Sequence, residues 1–264
     1  MKEVFIRNLL RSKEEKRILT GKISGIEDEY YKYKNMYIPC VIIWYNDIKI
    51  LIPSTHLGII NFNKSMIRGM LGAEIDFIII DIDLTSNIAI ASRKLAMELR
   101  SKLELSKLKK NDVVMVRVLA VGIKHILVEL FGKEVIIKAA NLKHTYILNC
   151  KDLYSPGDKI KVRIKNIDIQ NNIFELSAKD FTLNPFNEIR KYITENGEYT
   201  GKVIAFSKTH SGIIVQLDNV SVTCLTRVPP RFNDYPHLLS NVLIKITEIK
   251  ENQKQIYGYL IRII

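Results

Sequence analysis

No apolar run in this chain approaches the ~20 residues that a bilayer span requires. The Phe77 to Leu84 stretch, which comes nearest, is cut by Asp81 and Asp83. The N-terminal stretch carries Arg7 inside its only apolar cluster and lacks a small-residue cleavage site, so no secretory leader and no membrane partner are expected. Cysteine is scarce: Cys40, Cys150 and Cys224 are odd in number and far apart. They fit neither a disulfide framework nor a zinc site, and they point to a reducing, cytoplasmic setting. His56, His125, His144, His210 and His237 are scattered, none at metal-ligand or triad spacing with a cysteine or carboxylate. No metal, no cofactor and no catalytic constellation is therefore expected.

What the chain does have is basic charge. Its 264 residues carry a net charge of +12 with a pI near 9.4, which suits a polyanionic partner, while 47% apolar content suits a folded protein. It also has a repeat, and repeats decide fold assignments early. The clearest copy runs Gly157-Asp158-Lys159-Ile160-Lys161-Val162-Arg163-Ile164-Lys165-Asn166-Ile167-Asp168 and then Ile173 to Lys179. An earlier copy starts at Gly72 and ends at Lys94; a third covers Val242 to Ile249, with Leu239 in the glycine's place. Each is a period-2 strand that turns into another.

Around these copies the chain divides into a helical lead-in (1–17), three strand-rich units (18–93, 111–180 and 197–264) and two helical linkers (94–110 and 181–196). Each unit holds about five short strands and one longer connection, the layout of a small five-stranded barrel. In the first linker Leu95, Leu99 and Leu103 form an apolar stripe, with Leu105 and Leu108 extending it. From Arg93 to Lys110, seven lysines and arginines against Glu98 and Glu104 would give that helix a basic outer face. In the second linker Phe186, Ile189, Tyr192 and Ile193 share one side. Lys159, Lys161, Arg163 and Lys165 alternate on one face of their strand, read as a solvated outer surface. The stretch from Glu27 to Tyr37 interleaves tyrosine and lysine between two strands. It reads as packing or protein contact somewhat more than as a stacking platform, because Glu27, Asp28 and Glu29 stand at its base.

All three units resemble the S-one-type RNA-binding domain of bacterial ribosomal proteins, an OB-fold barrel. Its later strands read Gly-Asp-x-Val-x-Val-x-Val-x-x-Ile-Asp, then a turn, then Leu-Ser-x-Lys, which residues 157–179 match closely. The first unit is similar to an early subtype through Ile52-Pro53-Ser54-Thr55-His56-Leu57 and Ala91-Ser92-Arg93-Lys94-Leu95-Ala96. Arg100 to Val114 repeats the family's linker, with Asn111 in a glycine's place. The resemblance implies an all-β chain of three tandem five-stranded OB-fold barrels joined by short helical linkers. It also implies base stacking by aromatics of the second strand and a histidine after the third. Here Ile42, Leu127 and Ile214 occupy the aromatic position, and Pro53, Lys138 and Cys224 the histidine position.

Basic substitutes remain at or beside those strands. They are Lys124, His125, Lys138, Lys143 and His144 in the second unit, and Lys202, Lys208, His210, Arg227 and Arg231 in the third. Such residues would hold phosphates with little sequence preference. The expected function is non-enzymatic binding of single-stranded RNA, in the setting of the ribosome or translation. The alternative is a protein–protein adaptor whose barrels dock a partner protein, an idea that the missing aromatics favour.

Overall fold

The computed structural model describes residues 2–31, 36–59, 64–206, 212–220, 222–230, 232 and 235–264. The chain forms two compact units, Met1–Lys138 with Asn149–Asp180, and Ala139–Leu148 with Phe181–Ile264. Among the described residues no helix is long and apolar enough to cross a membrane.

The first unit begins with helix α1 (Lys2–Glu15), which sends Leu9 into the core of a closed barrel. That barrel has strands β1 (Leu19–Tyr31), β2 (Met36–Tyr45), β3 (Ile48–Pro53), β4 (Glu74–Asp83) and β5 (Ile88–Ser92), in the order β1-β2-β3-β5-β4. Between β3 and β4 lies the short helix α2 (Lys64–Arg68). The acidic base of the tyrosine-lysine stretch is strand, where a connection is the sequence expectation: Glu27 pairs with Cys40 and Glu29 with Ile38. Lys49 offsets this charge by pairing with Glu27 and, at 3.1 Å, with Glu29. The centre of that stretch, 32–35, lies outside the described residues.

Helix α3 (Arg93–Glu104) leads to the second sheet of the same unit: β6 (Val113–Val121), β7 (His125–Leu130), β8 (Lys133–Lys138), β9 (Lys159–Asp168) and β10 (Ile173–Ser177). Its order is β10-β9-β6-β7-β8, and no ladder joins the two edges. In the second unit a closed barrel of β11 (Glu198–Phe206), β12 (Gly212–Leu217), β13 (Thr223–Arg227), β14 (Asn241–Lys250) and β15 (Gln255–Ile263) repeats the order of the first. The stretch before it is a 3-10 helix, Pro185–Lys191, kinked at Glu188. The helix buries Ile189 and the residues just after it bury Ile193 but leave Tyr192 51% exposed, so the expected four-residue apolar side is only partly used.

The repeated glycine has a definite task. Gly72 and Gly157 both have positive φ (+89° and +97°), and their N–H groups donate to Ile23 and Val118 at 2.9 and 2.8 Å. In the third barrel Leu239 has φ +70° and donates to Val203 at 2.8 Å, so it does hold the glycine's place. Gly72 and Gly157 also meet: a Cβ on Gly157 would lie 2.7 Å from the Gly72 carbonyl oxygen. Left-handed backbone costs an L-residue about 1–2 kcal/mol, and glycine's extra unfolded freedom offsets about half of that. Leu239→Gly is therefore expected to stabilise the second unit by roughly 0.5–1 kcal/mol, since the leucine is 53% exposed and contributes little packing. A denaturant midpoint that falls instead would show the leucine side chain to be needed.

Helix α3 is turned over relative to its hydropathy. Leu95 and Leu103 are 40% and 52% exposed, while Arg93 and Ala96 are buried. The face against the sheets holds Arg93, Arg100 and Glu104, because what lies beneath it is acidic and buried carboxylates require cations. Arg93 lies 2.8 Å from Glu134 and 3.5 Å from Glu129, and donates to the Leu57 carbonyl at 3.0 Å. Arg117 joins Glu129 to Asp76, both at 2.7 Å, and Arg100 joins Asp76 (2.6 Å) to Glu104 (2.7 Å). One chain of charges thus links β4, α3, β6, β7 and β8. The aspartates of the first repeat differ from one another: Asp76 is buried in this chain, Asp81 pairs with Lys13 at 2.8 Å, and Asp83 caps the turn at Thr85 and Ser86.

Candidate nucleic-acid interface

On the second sheet the β7–β8 register sets three pairs on the outer face: Glu129 with Glu134, Leu127 with Ile136, and His125 with Lys138. Directly opposed carboxylates repel. Arg93 lies between Glu129 and Glu134 and resolves that conflict, so α3 occupies this end of the face. Leu127, at the family's aromatic position, packs against the hydrophobic cluster of the first barrel. A stacking ring there would lose that packing, which gives the absent aromatic a physical reason. The far end stays open: Ile136 and Ile123 are each 60% exposed, and Lys124, His125 and Lys138 are exposed.

Lys143 and His144 belong to Ala139–Leu148 of the second unit and are half-buried there. The basic strand β9 is not an open phosphate track: Lys159 pairs with Glu74 at 2.7 Å, and Arg163 and Lys165 both reach Asp180.

The first barrel's equivalent face is closed. Ile38, Cys40, Ile42 and Leu51 form a small buried cluster on it, and Glu27 and Glu29 flank it through their pairing with β2. Trp44, opposite Lys49 on this face, is 57% exposed.

The third barrel corrects one assignment. Ile214 pairs with Leu225 and Gly212 with Arg227, as Leu127 pairs with Ile136 and His125 with Lys138. The counterpart of Lys138 is therefore Arg227, not Cys224. Cys224 points into the core, and burial pushes its thiol up to about 12. Lys202 and Arg227 are both exposed; Lys202 stands opposite Gln216, toward the other end of the face. Lys208, His210 and Arg231 lie outside the described residues. Alongside Arg227 the parallel β13–β15 ladder brings Tyr257 and Tyr259, which a search of the second strand alone overlooks. Their spacing on a period-2 strand was the available signal. Among the described residues no group of three potential metal ligands occurs.

Residues 107–179 match the S1 RNA binding domain. The matched stretch contains β6 to β10, so the open end of the β7–β8 face belongs to it. Among curated proteins, the small ribosomal subunit protein bS1 of Staphylococcus saprophyticus is 27% identical over 128 residues, 47% of this chain and 33% of that protein. A 4-hydroxy-3-methylbut-2-enyl diphosphate reductase of Clostridium acetobutylicum is 25% identical over 230 residues, 82% of this chain and 35% of the reductase. The chain spans about a third of the length of these relatives. A solved multidomain protein with nucleic acid binding domains from Streptococcus pneumoniae aligns over 93% of this chain and 73% of its own. Its identity is 13% and its TM-score 0.23, too low to carry an argument.

Proposed function

We propose that the chain is a non-enzymatic binder of single-stranded RNA, using the outer faces of its second and third sheets. The observation that carries this reading is the His125–Lys138 pair, exposed beside Lys124 on the part of the S1 match that α3 leaves open. Positive groups on that face neutralise phosphates and release counterions, giving affinity with little sequence preference. The bS1 relatives support a setting at the ribosome or in translation, which co-sedimentation with ribosomes would test.

Affinity for a mixed single-stranded RNA should fall with salt at a log–log slope of about −0.7 per phosphate contacted. Replacing Lys124, Lys138 and Lys143 with glutamate is expected to weaken binding more than tenfold and to flatten that slope by about 2. Circular dichroism should remain native, because Lys124 and Lys138 are exposed and Lys143 is half-buried. Absence of micromolar binding at low salt would overturn the reading.

The adaptor reading retains one specific support. The first barrel presents the exposed Trp44 near Glu27 and Glu29, which suits a protein partner better than a phosphate backbone. A pull-down through the full chain, with and without ribonuclease, separates the two: partners that survive ribonuclease and are lost in Trp44→Ala would belong to that face.

A further inference from the structure

We propose that Tyr257 and Tyr259 are base-stacking residues for single-stranded RNA, with Arg227 and Lys245 holding the flanking phosphates; this rests on the RNA-binding reading above. On β15 the side chains of Ile256 and Leu260 are buried, and a Cβ on Gly258 would meet the Cys224 sulfur at 3.1 Å. The alternation therefore turns Tyr257 and Tyr259 outward, where both are half-buried. The parallel ladder pairs Arg227 with Tyr259 and Leu225 with Tyr257. The antiparallel ladder with β14 sets Lys245 on the other side of Tyr259. With strands about 4.8 Å apart, Arg227, Tyr259 and Lys245 form a row roughly 10 Å wide, a ring between two cations. That is the composition by which OB barrels hold single strands.

The neighbouring ring already receives a cation, since the Lys250 Nζ lies 5.0 Å from the Tyr257 centroid. Glu248, the register partner of Tyr257, is a carboxylate beside it and is paired with Lys250 at 3.5 Å. Spacing sets the ligand class. Tyrosines two apart on a strand stand about 7 Å from each other. Bases stacked within a duplex strand rise only about 3.4 Å. Two successive bases reach both rings only when splayed apart, as in unpaired RNA.

The test uses the full chain and a short labelled single-stranded RNA titrated at several salt concentrations. Tyr259→Ala should lower affinity roughly 5- to 100-fold at every salt, with the slope unchanged. Tyr257→Ala should act in the same way, and Tyr259→Phe should bind like the wild type. Arg227→Gln and Lys245→Gln should each flatten the slope by about 0.7. A duplex of the same sequence should compete poorly. Wild-type protein that binds no RNA would overturn the parent reading. Wild type that binds while the Tyr257→Ala/Tyr259→Ala double variant, natively folded, binds equally well would overturn this inference alone. So would a Tyr259→Phe loss as large as that of alanine, or equal competition by duplex.

Discussion

Asp76→Asn is expected to destabilise the first unit by about 3–5 kcal/mol and to lower its melting temperature by roughly 10 °C. Asp76 is fully buried, and its carboxylate accepts from Thr20 Oγ1 at 2.7 Å, Arg117 Nη1 at 2.7 Å and Arg100 Nε at 2.6 Å. Asparagine is close to isosteric, so no cavity forms. What changes is charge: two guanidinium groups lose their shared counter-ion, and an amide N–H₂ is turned toward one of them. Removing one partner of a buried pair costs far more than the pair itself is worth, because the other charge stays buried. Against a typical total of 5–15 kcal/mol this is a large fraction. Hydrogen exchange of β4 and β6 peptides isolates the effect from the second unit. Protection unchanged in both strands would show that the network contributes no stability.

The same residue gives the first unit an acid dependence. Burial alone would raise the Asp76 carboxyl, but its hydrogen bonds from Arg117 and Arg100, with the Arg117 charge and Thr20, outweigh this and hold it at about 2. A folded value below the unfolded one means the stability is fully present above about pH 4. It is lost as pH falls through 2. The loss amounts to something on the order of 2 kcal/mol. The difference in melting temperature between wild type and Asp76→Asn should therefore be constant from pH 5 to 7 and narrow below pH 4. Asp83, held near 2 by Thr85 and Ser86, titrates in the same window but is present in both proteins, so it cancels from the difference.

What the sequence revealed and what it hid follow from the range of the interactions involved. The strands, their turns and the repeated glycine were legible because they depend on local periodicity and local φ. Even Leu239 and Asn111, neither of them glycine, were placed correctly, and both have positive φ. Hydropathy failed on α3, where Leu95 and Leu103 face water while Arg93 and Arg100 face inward. Its packing is set by Asp76, Glu129 and Glu134, which lie in other strands and whose burial no window of α3 can report. The spatial grouping of basic and aromatic residues was hidden for a related reason. The positions of His125 and Lys138 on β7 and β8 were legible because they could be counted along neighbouring stretches of chain. Tyr257 and Tyr259 come beside Arg227 only through a parallel ladder between β13 and β15, some thirty residues apart, which no local window can show. Only the register shows that Cys224 faces the core while Arg227 takes the position assigned to it.

Gly132→Ala should have an effect comparable to that of the aspartate variant, by a different route. Phe131 and Gly132 both have positive φ (+44° and +83°), which makes the β7–β8 connection a tight hairpin turn. A Cβ on Gly132 would lie 2.1 Å from the Met97 carbonyl oxygen and 3.0 Å from the Ser101 nitrogen. Those are backbone atoms of α3, which no rotamer change can move aside. Alanine would pay about 1–2 kcal/mol for left-handed backbone and would also lift the helix off the turn. Lifting α3 pulls Arg93 from Glu129 and Glu134 and Arg100 from Asp76, so a loss of about 3 kcal/mol or more is expected in the first unit. Gly25→Ala is the matched control. Its φ is not positive, its nearest neighbour would be 3.9 Å away, and it should cost under about 1 kcal/mol. Because Gly132→Ala and Asp76→Asn both release α3, the double variant should lose less than the sum of the two. Strict additivity, or equal losses for the two glycine variants, would mean that α3 is not held as a unit by this turn and the charges beneath it.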